Sequence, residues 1–197
     1  TTVQSIDTNS SWTVTNLTSN ATTAAVVPAT VPGVYNGGPT NDGSASGGAL
    51  WIYPDAANLA QNTSYAFTKL FTLTSFNTAL LSGKFWSDNG LISVVLNGAT
   101  IFGPFTPTGN ETTYQPGSST NLNYSGNAFQ LGSNTLVFNV RNGPGANSGN
   151  PVALQADLDV TSAVPEPGTW MLMLLGFAAI GFAMRSRAKT QVRFQFA

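Results

Sequence analysis

"LSGKFWSDNGLISVVLNGATIF", residues 81–102, decides how this chain folds. Apolar and β-branched runs are separated there by Asp88-Asn89-Gly90 and by Asn97-Gly98. Asn-Gly supplies the positive φ angles that a two-residue hairpin turn needs, so Leu96 to Ala99 reads as a hairpin tip. Outward from it, "SYAFTKLFTL" (64–73) alternates, with Tyr65, Phe67, Lys69, Phe71 and Leu73 on one parity, which is a strand signature. "SWTVTNLT" (11–18) places Trp12, Val14 and Leu17 on one side. "ALWIYP" (49–54), "NTLVFNVRNG" (134–143) and "VALQADLDVT" (152–161) are further short runs bounded by Gly, Asn or Pro. About eight such strands, with almost no helical pattern before Pro165, predict an all-β, antiparallel sandwich, with a closed barrel as the competing arrangement.

Composition narrows the function. Charged residues make up 8% of the 197, against roughly 25% in an average soluble protein. Thr, Ser, Asn and Gly take their place. So little charge argues against nucleic acid, whose affinity comes mainly from phosphate neutralisation. The few charges are also unevenly placed. Residues 1–164 carry Lys69, Lys84 and Arg141 against seven acids, a net of −4, while residues 165–197 carry four basic residues against Glu166, a net of +3. The chain has no Cys and no His, which removes disulfides, thiolate chemistry, the commonest general base and the commonest zinc ligand. It begins "TTVQSIDTNS" without Met, the pattern of a mature N-terminus left after removal of a signal peptide.

The last stretch is unlike the rest. "VPEPGTWMLMLLGFAAIGFAMRSRAK" runs from Val164 to Lys189. Prolines on both sides of Glu166 oppose helix and favour an extended backbone, the form that a processing enzyme binds. Trp170 to Met184 carries no charge and reads as a helix. A span needs roughly 20 apolar residues, so length alone is equivocal. The flanks decide for a membrane anchor: Arg185, Arg187 and Lys189 follow at once, basic residues stay on the cytoplasmic side, and Trp170 suits the opposite interface. The expected boundary divides an exported domain, 1–162, from a terminal segment, 163–197.

Val164-Pro165-Glu166-Pro167, the apolar stretch with Trp170, Gly176 and Gly181, and the basic stop resemble the PEP-CTERM sorting signal of Gram-negative bacteria. That resemblance implies export by a cleaved signal peptide, retention at the inner membrane by the helix, and processing near Pro-Glu-Pro by an exosortase. It also implies association with exopolysaccharide, biofilm or floc formation. The chain departs from the pattern by continuing through Thr190–Ala197. A second resemblance covers about 100 residues. "YAFTKLFTL", "LSGKFWSDNGLISVVLNGATIF", "LGSNTLVFNVRN" and "NPVALQADLDV" are similar to galactose-binding-like jelly-roll domains, and this implies a fold more than a function.

Candidate chemistry in the exported part is sparse. Trp51, Tyr53, Trp86 and Tyr114 are candidate platforms for stacking on sugar rings, although tryptophans within apolar runs also suit a core. Asp42, Asp88 and Asn89 are candidate calcium ligands in loops, but their spacing matches no dedicated loop and Asp-Asn-Gly is also ordinary turn chemistry. No other cofactor is expected. Asp157 and Asp159 share a strand face without forming an obvious acid pair, and no nucleophile-base pair is evident. Six Asn-x-Ser/Thr sites, at Asn9, Asn16, Asn20, Asn62, Asn110 and Asn123, fit the Asn- and Thr-rich composition. The reading is a noncatalytic exported surface or matrix protein. A carbohydrate-binding module that retains exopolysaccharide is the alternative, and a polysaccharide-active enzyme the third. Neutral loops and sheet edges leave self-assembly open.

Overall fold

The computed structural model describes residues 2–8, 11–25, 49–54, 62–107, 119–143, 152–163 and 167–186. The chain divides into two units, Thr1–Ala163 and Val164–Ala197.

The first unit is built from ten strands: β1 (Thr2–Ser5), β2 (Thr13–Asn16), β3 (Thr22–Ala24), β4 (Ser64–Leu73), β5 (Leu80–Asp88), β6 (Gly90–Leu96), β7 (Ala99–Phe102), β8 (Thr120–Tyr124), β9 (Gly132–Arg141) and β10 (Ala153–Ser162). They form a four-stranded sheet, β1-β10-β5-β8, and a six-stranded sheet, β3-β2-β4-β9-β6-β7. Every strand pair is antiparallel. Two separate sheets make this a jelly-roll-like sandwich and not a closed barrel.

Period-two patterning fixes which face of each strand is buried. On β4, Tyr65, Phe67, Phe71 and Leu73 are buried as the alternation predicts. On β9 the inward set is Asn134, Leu136, Phe138 and Val140, and on β10 it is Leu154, Ala156, Leu158 and Val160. The sheets meet through aromatic rings. Phe85 of β5 lies 5.1 Å from Phe138 of β9 and 5.9 Å from Phe102 of β7, both near edge-to-face. Leu17 departs from expectation: the chain turns directly after β2, and its side chain is exposed.

Four segments depart from the sequence expectation: three strands that it does not mark, and one expected strand that is reduced to a bridge. β1, β3 and β8 are all edge strands with little apolar alternation. "ALWIYP" gives only one bridge, Ile52 to Leu154. That bridge continues a ladder along the edge of β10. Below β1, Ile6 N donates to Leu158 O (2.9 Å), Thr8 N to Ala156 O (3.0 Å) and Ile52 N to Leu154 O (2.9 Å).

The Asn97-Gly98 turn forms as predicted, with φ of 50° and 84°. Asn97 does more than turn the chain. Its Nδ2 donates to Ala128 O and to Asn134 Oδ1 (both 2.8 Å), and its Oδ1 accepts from Thr135 N (2.8 Å). Asn134, fully buried, also accepts from Gln130 N and donates to Gln130 O and Gly132 O. Gly83 is required for a different reason. Its φ is +146°, and an added Cβ would lie 2.1 Å from Asp157 O on the neighbouring β10.

Two substitutions test these constraints. Asn134→Leu strands Gln130 and Gly132 carbonyls and the Asn97 amide, so it is expected to cost about 2–4 kcal/mol in denaturant unfolding. Gly83→Ala forces β5 away from β10 and is expected to lower the melting temperature by more than Ala placed at exposed Ser133 of β9.

Candidate functional site

The second unit contains one described element, α1 (Pro167–Ser186), 20 residues long. At 1.5 Å per residue this is about 30 Å, the thickness of a bilayer's hydrocarbon core. Proline suits its first position, where the backbone N–H has no helical acceptor. Met171, Leu172, Met173, Leu174 and Leu175 are consecutive, so apolar side chains project in every direction around the axis. None of Gly168–Ser186 is buried. A helix apolar on all sides and exposed over its whole length suits a lipid environment better than water. Arg185 occupies its last turn. Val164, Pro165, Glu166, Arg187, Lys189 and the tail Thr190–Ala197 lie outside the described residues, as do Asp42 and Tyr114.

In the sandwich, three of the four sequence-predicted aromatics come together. Trp51, Trp86 and Ala153 form a buried cluster apart from the main core, and Tyr53 packs against it. Strand parity explains the placement. Phe85 and Leu154 face the interior, so Trp86 and Ala153 face outward from the four-stranded sheet. Ile52 likewise turns into the core, leaving Trp51 and Tyr53 on the opposite side. Trp51 is 4% exposed and Trp86 2%, so neither ring offers an open face for stacking; Tyr53 is half-buried. Beside them Gln155, the cross-strand partner of Trp86, donates from Nε2 to Ala49 O at 2.6 Å.

Asp88 and Asn89 are both buried, and Asn89 Nδ2 donates to Asp88 Oδ1 at 3.0 Å. Among the described residues no group of three or more acidic, His or Cys side chains gathers as a metal site. Asp7 and Asp159 lie close enough to influence one another. Asp7 is buried, accepting from Ser5 Oγ (2.6 Å) and Leu158 N (3.0 Å). Desolvation, and secondarily the Asp7 charge, hold the Asp159 carboxyl above its ordinary value. Desolvation holds the Lys69 amine below its ordinary value, against an opposing effect of Asp7. Lys69 Nζ donates to Ser11 O at 3.0 Å.

A feature invisible in the sequence is an open groove of about 490 Å³, lined by Leu17, Thr18, Asn62, Thr63, Ser64, Ile92 and Asn139. Its walls come from the β2–β3 turn, the start of β4, β6 and the outward face of β9. Asn16, underneath, accepts from Thr18 N (2.9 Å) and Ser19 N (3.2 Å), which fixes the turn. Thr18 and Thr63 share a hydroxyl–hydroxyl hydrogen bond across the groove floor. Asn139 Nδ2 donates to Ser93 Oγ at 3.0 Å, leaving its Oδ1 available. These residues are scattered over more than 120 positions of sequence and share no motif, so only strand register brings them together.

Comparison with known proteins bears first on the terminal unit. Residues 163–188 match the PEP-CTERM protein-sorting motif. The chain carries this signal as a segment of 26 residues, and the match does not extend into the sandwich. Within the PEP-CTERM segment, α1 supplies the apolar element and Arg185 opens the basic one. No curated protein matches the chain. Among solved structures, a family 35 carbohydrate binding module from Clostridium thermocellum is similar at 15% identity and a TM-score of 0.40, over 83% of this chain and 100% of that one. The CBM36-1 domain of a multidomain xylanase from the hindgut metagenome of Trinervitermes trinervoides aligns at 14% identity and 0.38, over 83% and 99%. A CBM35 from Paenibacillus barcinonensis aligns at 18% and 0.37, over 83% and 100%. The strand pairing above, and not these distant likenesses, establishes the sandwich.

The raised Asp159 pKa gives a signed pH dependence. A carboxyl whose folded pKa exceeds its unfolded one favours the folded state only while protonated, so its penalty grows as pH rises above the unfolded value of about 3.9. Asp159→Asn is therefore expected to raise the melting temperature slightly at neutral pH, with the difference vanishing below about pH 3.9. Thermal melts across that range check the sign.

Proposed function

We propose that this is a noncatalytic exported protein of the cell surface or extracellular matrix. In this reading α1 holds it in the inner membrane of a Gram-negative cell, and an exosortase then processes it near Pro165-Glu166-Pro167. The observation that carries the reading is the sorting motif joined to an apolar helix of membrane-spanning length. Trp170 would sit at the outer interface, Gly176 and Gly181 within the span, and Arg185, Arg187 and Lys189 at the cytoplasmic face. The exported unit would then act outside the cell, in association with exopolysaccharide, by adhesion or as structural material.

One observation favours a second reading, retention of that polymer by the sandwich itself. The groove beside Asn139 is open and lined by hydroxyl and amide groups, the chemistry that hydrogen-bonds sugars. The buried Trp51 and Trp86 support this reading less than their sequence positions suggest, because neither presents a free ring face.

Two sets of variants in the native cells test the sorting mechanism. Glu166→Ala is expected to leave the C-terminus uncut and the protein in the membrane fraction. Replacing Arg185, Arg187 and Lys189 together by Gln is expected to weaken membrane retention, because basic residues at the end of a span oppose its translocation. Fractionation with intact-mass spectrometry reads both. Unchanged distribution and an unchanged C-terminus in both sets would falsify exosortase sorting.

A further inference from the structure

The outward face of the six-stranded sheet is built from small and β-branched side chains in register. One cross-strand row crosses all six strands: Ala24, Thr13, Thr68, Val137, Val95 and Thr100, each the partner of the next. A second row, Thr22, Thr15, Ala66, Asn139 and Ser93, runs beside it over five strands. The residues that alternate with them, Val14, Phe67, Phe138 and Val94, belong to the core, so both rows point away from it. Leu70 has the same outward parity on β4, an inner strand of the sheet, and is 63% exposed.

Two properties fit this face to another uncharged sheet. The described strands that form it contain no acid, Lys69 has inward parity and donates to Ser11 O, and Arg141 lies at the end of β9, beyond both rows. The second row also bonds within itself. Thr15 and Thr22 share a hydroxyl–hydroxyl hydrogen bond of 2.8 Å, and Asn139 Nδ2 donates to Ser93 Oγ at 3.0 Å. Covering such pairs costs little, because they keep each other when water leaves. The opposite sheet is different: its outward Lys84, Asp157 and Asp159 would have to be desolvated or matched by a partner.

We propose that this face pairs with the same face of a second copy of the chain. A twofold axis through the centre of the sheet makes the contact self-complementary, with β-branched rows set against each other as on the inner faces of a sandwich. An uncharged face meets its own copy without like-charge repulsion. Six strands at about 4.8 Å, by three outward residues at about 6.7 Å, give a patch on the order of 600 Å² in plan. Side-chain relief brings its accessible area toward the about 800 Å² per partner of a stable complex. Pairing is therefore weak in dilute solution and favoured where copies are crowded, on a membrane or in a matrix. It does not rest on the sorting reading or on polymer retention, and either can fail while the faces still pair.

The chain has no cysteine, so a single introduced thiol reports on its own surroundings. The test uses the full chain in detergent, with Val137→Cys at the centre of the face and Asn123→Cys on exposed β8 of the other sheet as the reference. Each is treated with a bismaleimide, and crosslinked dimer is read on a denaturing gel. Val137→Cys is expected to crosslink about fivefold more than Asn123→Cys, because only the former faces its copy, while pairing through α1 would raise both alike. Adding Leu70→Lys, at an exposed position the core does not use, is expected to bring that signal down to the reference at low salt. Mixing this protein with the corresponding Leu70→Glu variant is expected to restore it. Equal crosslinking at the two thiols overturns the proposal, and so does a Val137→Cys signal that Leu70→Lys leaves unchanged. Shielding of the Val137→Cys thiol by the cell's own exopolysaccharide, with no dimer formed, assigns the face to the polymer and also overturns the pairing.

Discussion

Asn134 spends its whole hydrogen-bonding capacity inside the protein, and the sandwich depends on it. β9 is an inner strand that pairs with β4 on one side and β6 on the other, and its Phe138 reaches Phe85 across the core. A slip of one residue would turn Leu136, Phe138 and Val140 outward and bring Thr135, Val137 and Asn139 in. Asn134 opposes that slip. It ties the start of β9 to the preceding turn through Gln130 and Gly132, and to the β6–β7 hairpin through Asn97. In a chain without disulfides, a satisfied buried amide of this kind sets register where apolar packing alone sets only the face.

The two units answer different physical problems. The sandwich keeps a neutral hydroxyl- and amide-rich surface and buries its apolar side chains between sheets. The terminal helix does the reverse and exposes apolar side chains in all directions. That opposition is what a protein needs if it must pass through a membrane-held stage before acting in an aqueous, sugar-rich setting. It also explains the distribution of basic residues, which gather after the helix and are scarce on the sandwich.

Much of this was legible in the sequence where burial leaves a periodic trace. β4, β9 and β10 alternate because one face of each meets the core. The β6–β7 hairpin declared itself through Asn97-Gly98. β1, β3 and β8 left little trace because an edge strand needs few apolar residues, and theirs are Thr, Asn, Ser and Gln. Trp51, Tyr53 and Trp86 stood out in the sequence as aromatics, but neither their gathering on one side of the sheet nor the covering of that side could be read there. The groove was not legible at all. Thr18, Ser64, Ile92 and Asn139 are ordinary residues until β4, β6 and β9 align.

The Asn97-Gly98 turn has a consequence for the protein's lifetime. Asn-Gly is the dipeptide most prone to lose its amide, because a small following residue lets the backbone nitrogen attack the side-chain carbon and close a succinimide ring. Here the Asn97 carboxamide is held by Ala128, Asn134 and Thr135, so it is not free to rotate into that attack. The network that sets strand register therefore also acts as a chemical preservative, and ageing at this turn would begin in molecules whose hairpin had already opened.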